Sequence, residues 1–133
     1  MAGFKSFEEI EVWQKSRVLA NKIFALTLEG SFSKDFKLRD QINGSSGSIM
    51  DNIAEGFERG SKQEFIHFLS IAKGSAGETR SQLYRAFDQS YIDTGVFEKL
   101  KSEVESISSM LNKLMSYLNN SKIKGERYKQ KQL

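Results

Sequence analysis

The residues best suited by type and spacing to do chemistry are Glu64 and His67, a single Glu-x-x-His pair. On a helix this spacing puts a carboxylate and an imidazole on neighbouring positions, the half-motif from which carboxylate-bridged di-iron bundles assemble a metal centre. Such a centre needs a second Glu-x-x-His and two further inward glutamates, and the chain has only 1 histidine. His67 is therefore expected to be structural or superficial, with no metal site. The same shortage disfavours Ser-His-Asp chemistry, and no Gly-x-Ser-x-Gly turn is present to raise a nucleophile. Gly60-Ser61-Lys62 has the wrong glycine spacing and the wrong Lys-Ser order for a phosphate loop. No catalytic constellation emerges, and neither a catalytic residue nor a cofactor is expected.

Basic side chains offer a second kind of chemistry, the neutralisation of phosphate. Lys73, Gly77, Arg80 and Tyr84 fall along one helical stripe, with Arg59 and Lys62 at the corner below it. These four cations are candidate nucleic-acid contacts, although such a stripe is commonly a solvated face carrying salt bridges. The formal net charge is +3, and its location matters more than its size. Lys122, Lys124, Arg127, Lys129 and Lys131 stand against Glu126 in residues 121–133, which makes that segment +4 and leaves residues 1–120 with 15 basic and 16 acidic groups. A nearly neutral body with a basic tail predicts salt-sensitive, weakly selective phosphate binding at most, the tail cations contributing most of it.

The elements that must position these groups read as four helices. With 133 residues the chain can bury a core as one domain, and with 0 cysteines it has neither a disulfide framework nor thiolate metal sites. The opening residues MAGFKSFEEI lack the apolar run of a signal peptide, and no stretch approaches the length of a membrane span. A cytoplasmic location without membrane association is the expectation. Ser6 to Glu9 forms a Ser-x-x-Glu capping box that should start the first helix, with Gly30 as its stop. Val12, Leu19, Ile23 and Leu26 give that helix one apolar stripe, and Trp13, Ala20 and Phe24 give it a second. So wide a face packs either on two neighbouring helices or on a second subunit.

Ser33 is expected to cap the second helix, in which Ile42, Ile49, Ile53 and Phe57 keep helical spacing on both sides of Gly44-Ser45-Ser46-Gly47-Ser48. A linker would break that period, so the small residues belong to a continuous helix and let a neighbouring backbone come close. Its two internal glycines cost roughly 2 kcal/mol relative to alanine, which packing must offset. Asn52 falls on the core-facing seam, where it reads first as a hydrogen-bonded amide that fixes packing register and, as the sharper alternative, as a ligand-binding group. Gly60 ends the helix in the left-handed conformation, and Ser61 with Glu64 forms a second capping box. The tight corner makes the two helices antiparallel neighbours.

Phe65, Leu69, Ala72, Ala76, Thr79, Leu83 and Ala86 recur at alternating four- and three-residue steps, which predicts a third helix from Ser61 to about Asp88 with a small patch at Gly74–Gly77. A fourth starts at Asp93 or Thr94 and carries Phe97, Leu100, Val104, Ile107, Leu111, Leu114 and Leu118. The expected fold is all-α, an antiparallel up-down four-helix bundle over residues 1–120, followed by a basic, disordered tail over 121–133.

Gln41-Ile42, Ser48-Ile49, Asn52-Ile53-Ala54-Glu55-Gly56-Phe57, Arg59, Phe65, Phe68-Leu69, Ile71-Ala72, Gly74-Ser75 and Glu78 together form a recognisable signature. The chain resembles the bacterial four-helix-bundle proteins encoded within 23S ribosomal RNA intervening sequences, often labelled the S23 ribosomal protein family. Phe7, Val12 and Trp13 match that family's opening, and the leucine-rich last helix matches its end. The resemblance implies a ring-like homopentamer, and a further similarity to the accessory protein of diversity-generating retroelements implies RNA, DNA or a nucleoprotein as partner. It does not imply a structural component of the ribosome. The family's usual pair of arginines after Gln-Ile is replaced here by Asn43 and Gly44, and its usual proline by Met50, which weakens the nucleic-acid inference.

The reading is a non-enzymatic, self-associating scaffold or adaptor, with Trp13, Phe24, Gly44, Ser45, Gly47 and Ser48 as the expected interface between copies. The alternative is a metal- or small-molecule-binding bundle enzyme, in which Glu64 and His67 would be ligands.

Overall fold

The computed structural model describes residues 3–120. A 3₁₀ turn at Phe7–Glu9 leads into α1 (Glu11–Leu26), a second 3₁₀ turn at Gly30–Lys34 leads into α2 (Phe36–Glu58), and α3 (Lys62–Asp88) and α4 (Thr94–Asn120) follow. Among the described residues there is no strand, and no helix is long and apolar enough to cross a membrane. The basic segment 121–133 lies outside the described residues.

The four helices form an all-α bundle whose directions can be read from pairs of touching side chains. Arg85 donates to Gln41, Ser45 to Gln82, and Ser75 to Ser48, so the α3 number falls as the α2 number rises and the two helices are antiparallel. Arg80 meets Glu105 and Tyr84 meets Phe97, which sets α4 antiparallel to α3 in the same way. The expected three- and four-residue steps bury Phe65, Leu69, Ala72, Ala76, Thr79, Leu83 and Ala86 from α3, and Phe97, Leu100, Val104, Ile107, Leu111 and Leu118 from α4. Ile42, Ile49 and Ile53 of α2 and Leu19 and Ile23 of α1 complete the core. Each large side chain so buried contributes roughly 1.5–3 kcal/mol of transfer free energy. The glycine- and serine-rich stretch of α2 is continuous helix, as its apolar period predicts.

Several helix ends differ from expectation. Ser6 makes no capping hydrogen bond; the chain instead pauses at Ile10 in extended conformation, which buries that side chain, and α1 starts at Glu11. The first helix stops at Leu26 rather than at Gly30: beyond Thr27 the chain tightens, with the Leu28 amide donating to Ala25 and the Glu29 amide to Leu26, three residues back. Ser33 bonds to Gly30, and the cap of α2 is Asp35, whose Oδ1 accepts from the Leu38 amide at 3.1 Å. The expected caps at Ser61 and Asp93 form: the Ser61 hydroxyl accepts from Glu64 N at 3.0 Å and Asp93 Oδ1 from Val96 N at 2.8 Å. Gly60 has φ +83°, the left-handed residue that the α2–α3 corner requires.

Candidate interaction surface

The α2–α3 seam is polar at its middle. Ser45 Oγ donates to Gln82 Oε1 at 2.6 Å and lies 2.9 Å from Thr79 Oγ1, whose own proton goes to the Ser75 carbonyl, so two hydroxyl protons are divided among three close contacts. One turn further along α2, Ser48 Oγ accepts from Ser75 Oγ at 3.0 Å and from Asn52 Nδ2 at 2.8 Å. Asn52 is half-buried and also donates to the Ser48 carbonyl, so it organises a hydroxyl chain rather than offering a free amide. Buried hydroxyls cost free energy unless paired, and pairing them across two helices fixes the register of α2 against α3.

Helix approach is closest elsewhere than the small-residue patches suggest. A side chain added at Gly44, Gly47, Gly74 or Gly77 would meet nothing within 4 Å. Those four glycines open outward, away from their own bundle. The intrachain close approach is at Gly56, which is buried against Phe65 and Phe68 of α3. In the Asn-Ile-Ala-Glu-Gly signature, then, Asn52 holds the hydroxyl chain, Ile53 fills the core and Ala54 packs against its edge. Glu55 pairs with Arg59 at 3.1 Å, and Gly56 lets the helices converge.

The six expected interface residues separate into two groups. Trp13, 9% exposed, sits edge-on to Phe7 with ring centroids 5.1 Å apart, and Ser45 is tied into the hydroxyl chain; both belong to the inside of their own subunit. Phe24 and Gly44 are exposed and Gly47 is half-buried, while Ser48, also half-buried, is held in the same hydroxyl chain as Ser45 by Ser75 and Asn52. Asn43 Nδ2 donates to Thr27 Oγ1 at 2.9 Å, which sets α1 beside α2. Phe24 of α1 (54% exposed), Leu28 of the connection that follows it (59%) and Phe36 at the start of α2 (64%) are large apolar side chains in water. Leu28 and Phe36 escape a periodicity search because they lie outside the apolar stripes, where only exposure marks them.

The cations are more engaged than a bare stripe. Arg59 lies over the Phe68 ring at 5.1 Å, besides its pair with Glu55, and Arg80 reaches Glu105 at 3.6 Å. Lys62 and Lys73 are half-buried on α3. Lys101 of α4 sits over the Tyr84 ring at 5.8 Å, and its hydrogen bond with that tyrosine raises its pKa above the ordinary lysine value. Lys122, Lys124, Arg127, Lys129 and Lys131 lie outside the described residues. Glu64 and His67 are exposed, and among the described residues no group of three or more potential ligands could hold a metal ion.

At the opposite end of the bundle the two longer connections are tied together. Phe32 is buried and stacks on Tyr91 with centroids 5.2 Å apart, and the Tyr91 hydroxyl donates to Asp35 Oδ2 at 2.9 Å. The Leu38 amide, and then Tyr91, stabilise the Asp35 carboxylate and lower its pKa; the same contact raises the pKa of Tyr91.

The structure is a four-helix bundle with a hydrogen-bonded polar seam between α2 and α3 and large apolar side chains exposed on α1 and α2. Residues 8–113 match the family described as 23S rRNA-intervening sequence protein, and the chain belongs to that family. Among solved structures it is similar to a Bacteroides thetaiotaomicron protein of unknown function from the S23 ribosomal protein family. The two are 28% identical with a TM-score of 0.71, over 78% of this chain and 97% of the other. No curated protein matches the sequence.

Proposed function

We propose that this protein is a non-enzymatic scaffold or adaptor of the cytoplasm that joins copies of itself through the outer α1–α2 face. The observation that carries the reading is the exposure of Phe24, Leu28 and Phe36 on and between α1 and α2, together with the open space at Gly44 and Gly47 of α2, which leaves room for a partner backbone. Exposed apolar side chains grouped on one side of a small domain favour burial against another protein, and small residues bring that protein near. Five copies are the expected number, on the resemblance alone. Replacing Phe24 and Phe36 together by serine tests the face: both side chains are mostly in water, so helical content should hold while the assembly loses subunits. An assembly of unchanged mass would remove α1–α2 as the interface.

RNA, DNA or a nucleoprotein is the proposed partner of the assembled scaffold, held by scattered cations and the basic segment rather than by base reading. Affinity should fall steeply with salt and weaken strongly when the chain ends at Asn120, because +4 of charge goes with residues 121–133. Unchanged affinity after that truncation would transfer the role to Lys73 and Arg80. Isolating the protein from its own cells with and without nuclease shows whether such a partner is carried at all.

A further inference from the structure

The residues that directly follow the buried positions of α3, namely Ser70, Lys73, Gly77, Arg80 and Tyr84, form one edge of that helix. The same offset on α4 gives Lys101, Glu105, Ser108 and Asn112. These two edges adjoin, because Arg80 reaches Glu105 at 3.6 Å and Lys101 sits over the Tyr84 ring at 5.8 Å. Together they make one strip on the outside of the bundle.

The charge of this strip is uneven. Glu98 and Glu105 flank Lys101, and Asp88 closes α3, so the carboxylates gather at the Tyr84 end. From Arg80 toward the start of α3, and from Glu105 toward the end of α4, the described edges carry Lys73 and, in the first turn, Lys62, but no carboxylate. The acids of α3 lie elsewhere: Glu78 lines the α2–α3 cleft with Gln41 and Gly44, and Glu64 stands about five turns from Gln82, which meets Ser45 of α2. Neither Lys62 nor Lys73 has an ion pair among the described residues. Arg80 and Glu105 are each about half exposed, and an ion pair in water contributes little, so a phosphate can take the place of Glu105. In a body of 15 basic and 16 acidic groups, this is a local excess of positive charge.

We infer that a single strand of nucleic acid lies along the α3–α4 strip, with phosphates on Lys62, Lys73 and Arg80 and one base stacked on Tyr84. The inference rests on the reading that nucleic acid is the partner, and adds the face and the form of the strand. From Lys62 to Arg80 the helix runs about 27 Å at 1.5 Å per residue, room for several successive phosphates. Ser70, Ser108 and Asn112 supply uncharged donors between the cations, and Gly77, with nothing within 4 Å of an added Cβ, lets the strand approach the helix. Tyr84 chooses single strand over duplex. Its ring is 43% exposed, and a paired base has no free face to lay on it, whereas an unpaired base does.

The full-length protein is titrated with polyuridine, polythymidine and a poly(dA)·poly(dT) duplex over a range of salt. One or both homopolymers should bind at least about tenfold tighter than the duplex. Lys73→Gln with Arg80→Gln should weaken strand binding at least about tenfold and lower the slope of log affinity on log salt by about 1.4, at about 0.7 per phosphate contact. Lys37→Gln with Lys99→Gln removes the same charge from exposed positions outside the strip and should weaken binding less than about threefold. Tyr84→Leu should cost about fivefold or more on the homopolymers and leave the duplex unchanged. Equal losses from the two double variants, a duplex held as tightly as a strand, or no effect of Tyr84→Leu would overturn the inference. If binding then disappears on truncation after Asn120, the nucleic-acid reading stands without it; no binding of any probe by the intact protein would overturn both. Circular dichroism of each variant verifies that the bundle is intact.

Discussion

A Cβ placed on Gly56 would stand 2.6 Å from the Cβ of Phe68 and 3.3 Å from the Phe65 carbonyl oxygen, so α2 and α3 converge here only because position 56 has no side chain. The obstruction is neighbouring backbone and a Cβ, neither of which can swing aside. Gly56→Ala should therefore destabilise the bundle by about 1–3 kcal/mol despite alanine's better helix propensity. Gly77 faces open space in mid-helix, and Gly77→Ala should stabilise by about 0.5–1 kcal/mol. Urea midpoints of the two variants check the pair of opposite signs, and equal shifts would contradict this account of the crossing.

The Asp35–Tyr91 contact predicts a pH dependence at both extremes. Since folding lowers the Asp35 pKa, the stability it lends is full above the unfolded value, about 4, and is lost as pH falls through the folded one. For Tyr91 the folded pKa is raised, so its contribution is full below about 10 and is lost as pH rises beyond. Tyr91→Phe should flatten the alkaline loss and soften the acid one, leaving the Leu38 amide to sustain part of the Asp35 effect. Thermal midpoints across the pH range measure both.

Ser90, between α3 and α4, has φ 62°, a left-handed conformation that costs a residue with a Cβ roughly 1–2 kcal/mol. Its amide donates to the Phe87 carbonyl at 2.9 Å and the next amide to Ala86, closing the end of α3 as a glycine would. Ser90→Gly should raise stability by about 0.5–1 kcal/mol, somewhat less than the relieved strain because glycine gains more freedom on unfolding. A lowered urea midpoint would show that the serine side chain contributes more than its conformation costs.

The helix interiors were legible because apolar period, which the sequence displays, is what packing rewards: every core position expected of α3 is buried, and α2 passes unbroken through Gly44–Ser48. Helix starts were less legible, since both Ser33 and Asp35 fit a local capping pattern and only the structure shows that Asp35 makes the bond, while the buried, extended Ile10 sets the start of α1 beyond Ser6. The small residues announce their size in the sequence but not the direction they face. Gly56 turns inward, whereas Gly44, Gly47, Gly74 and Gly77 turn outward. Exposed Phe36 and the adjoining edges of α3 and α4 follow from how helices lie beside one another, which no single helical wheel records.

The mass of the purified protein in solution, measured by light scattering over a wide concentration range, tests self-association most directly. The expected result is one stable species several times heavier than the 15.1 kDa chain, five copies being the specific value, and loss of subunits when Gly47→Leu fills the open space at that position without loss of helix. A concentration-independent mass equal to a single chain would contradict the account.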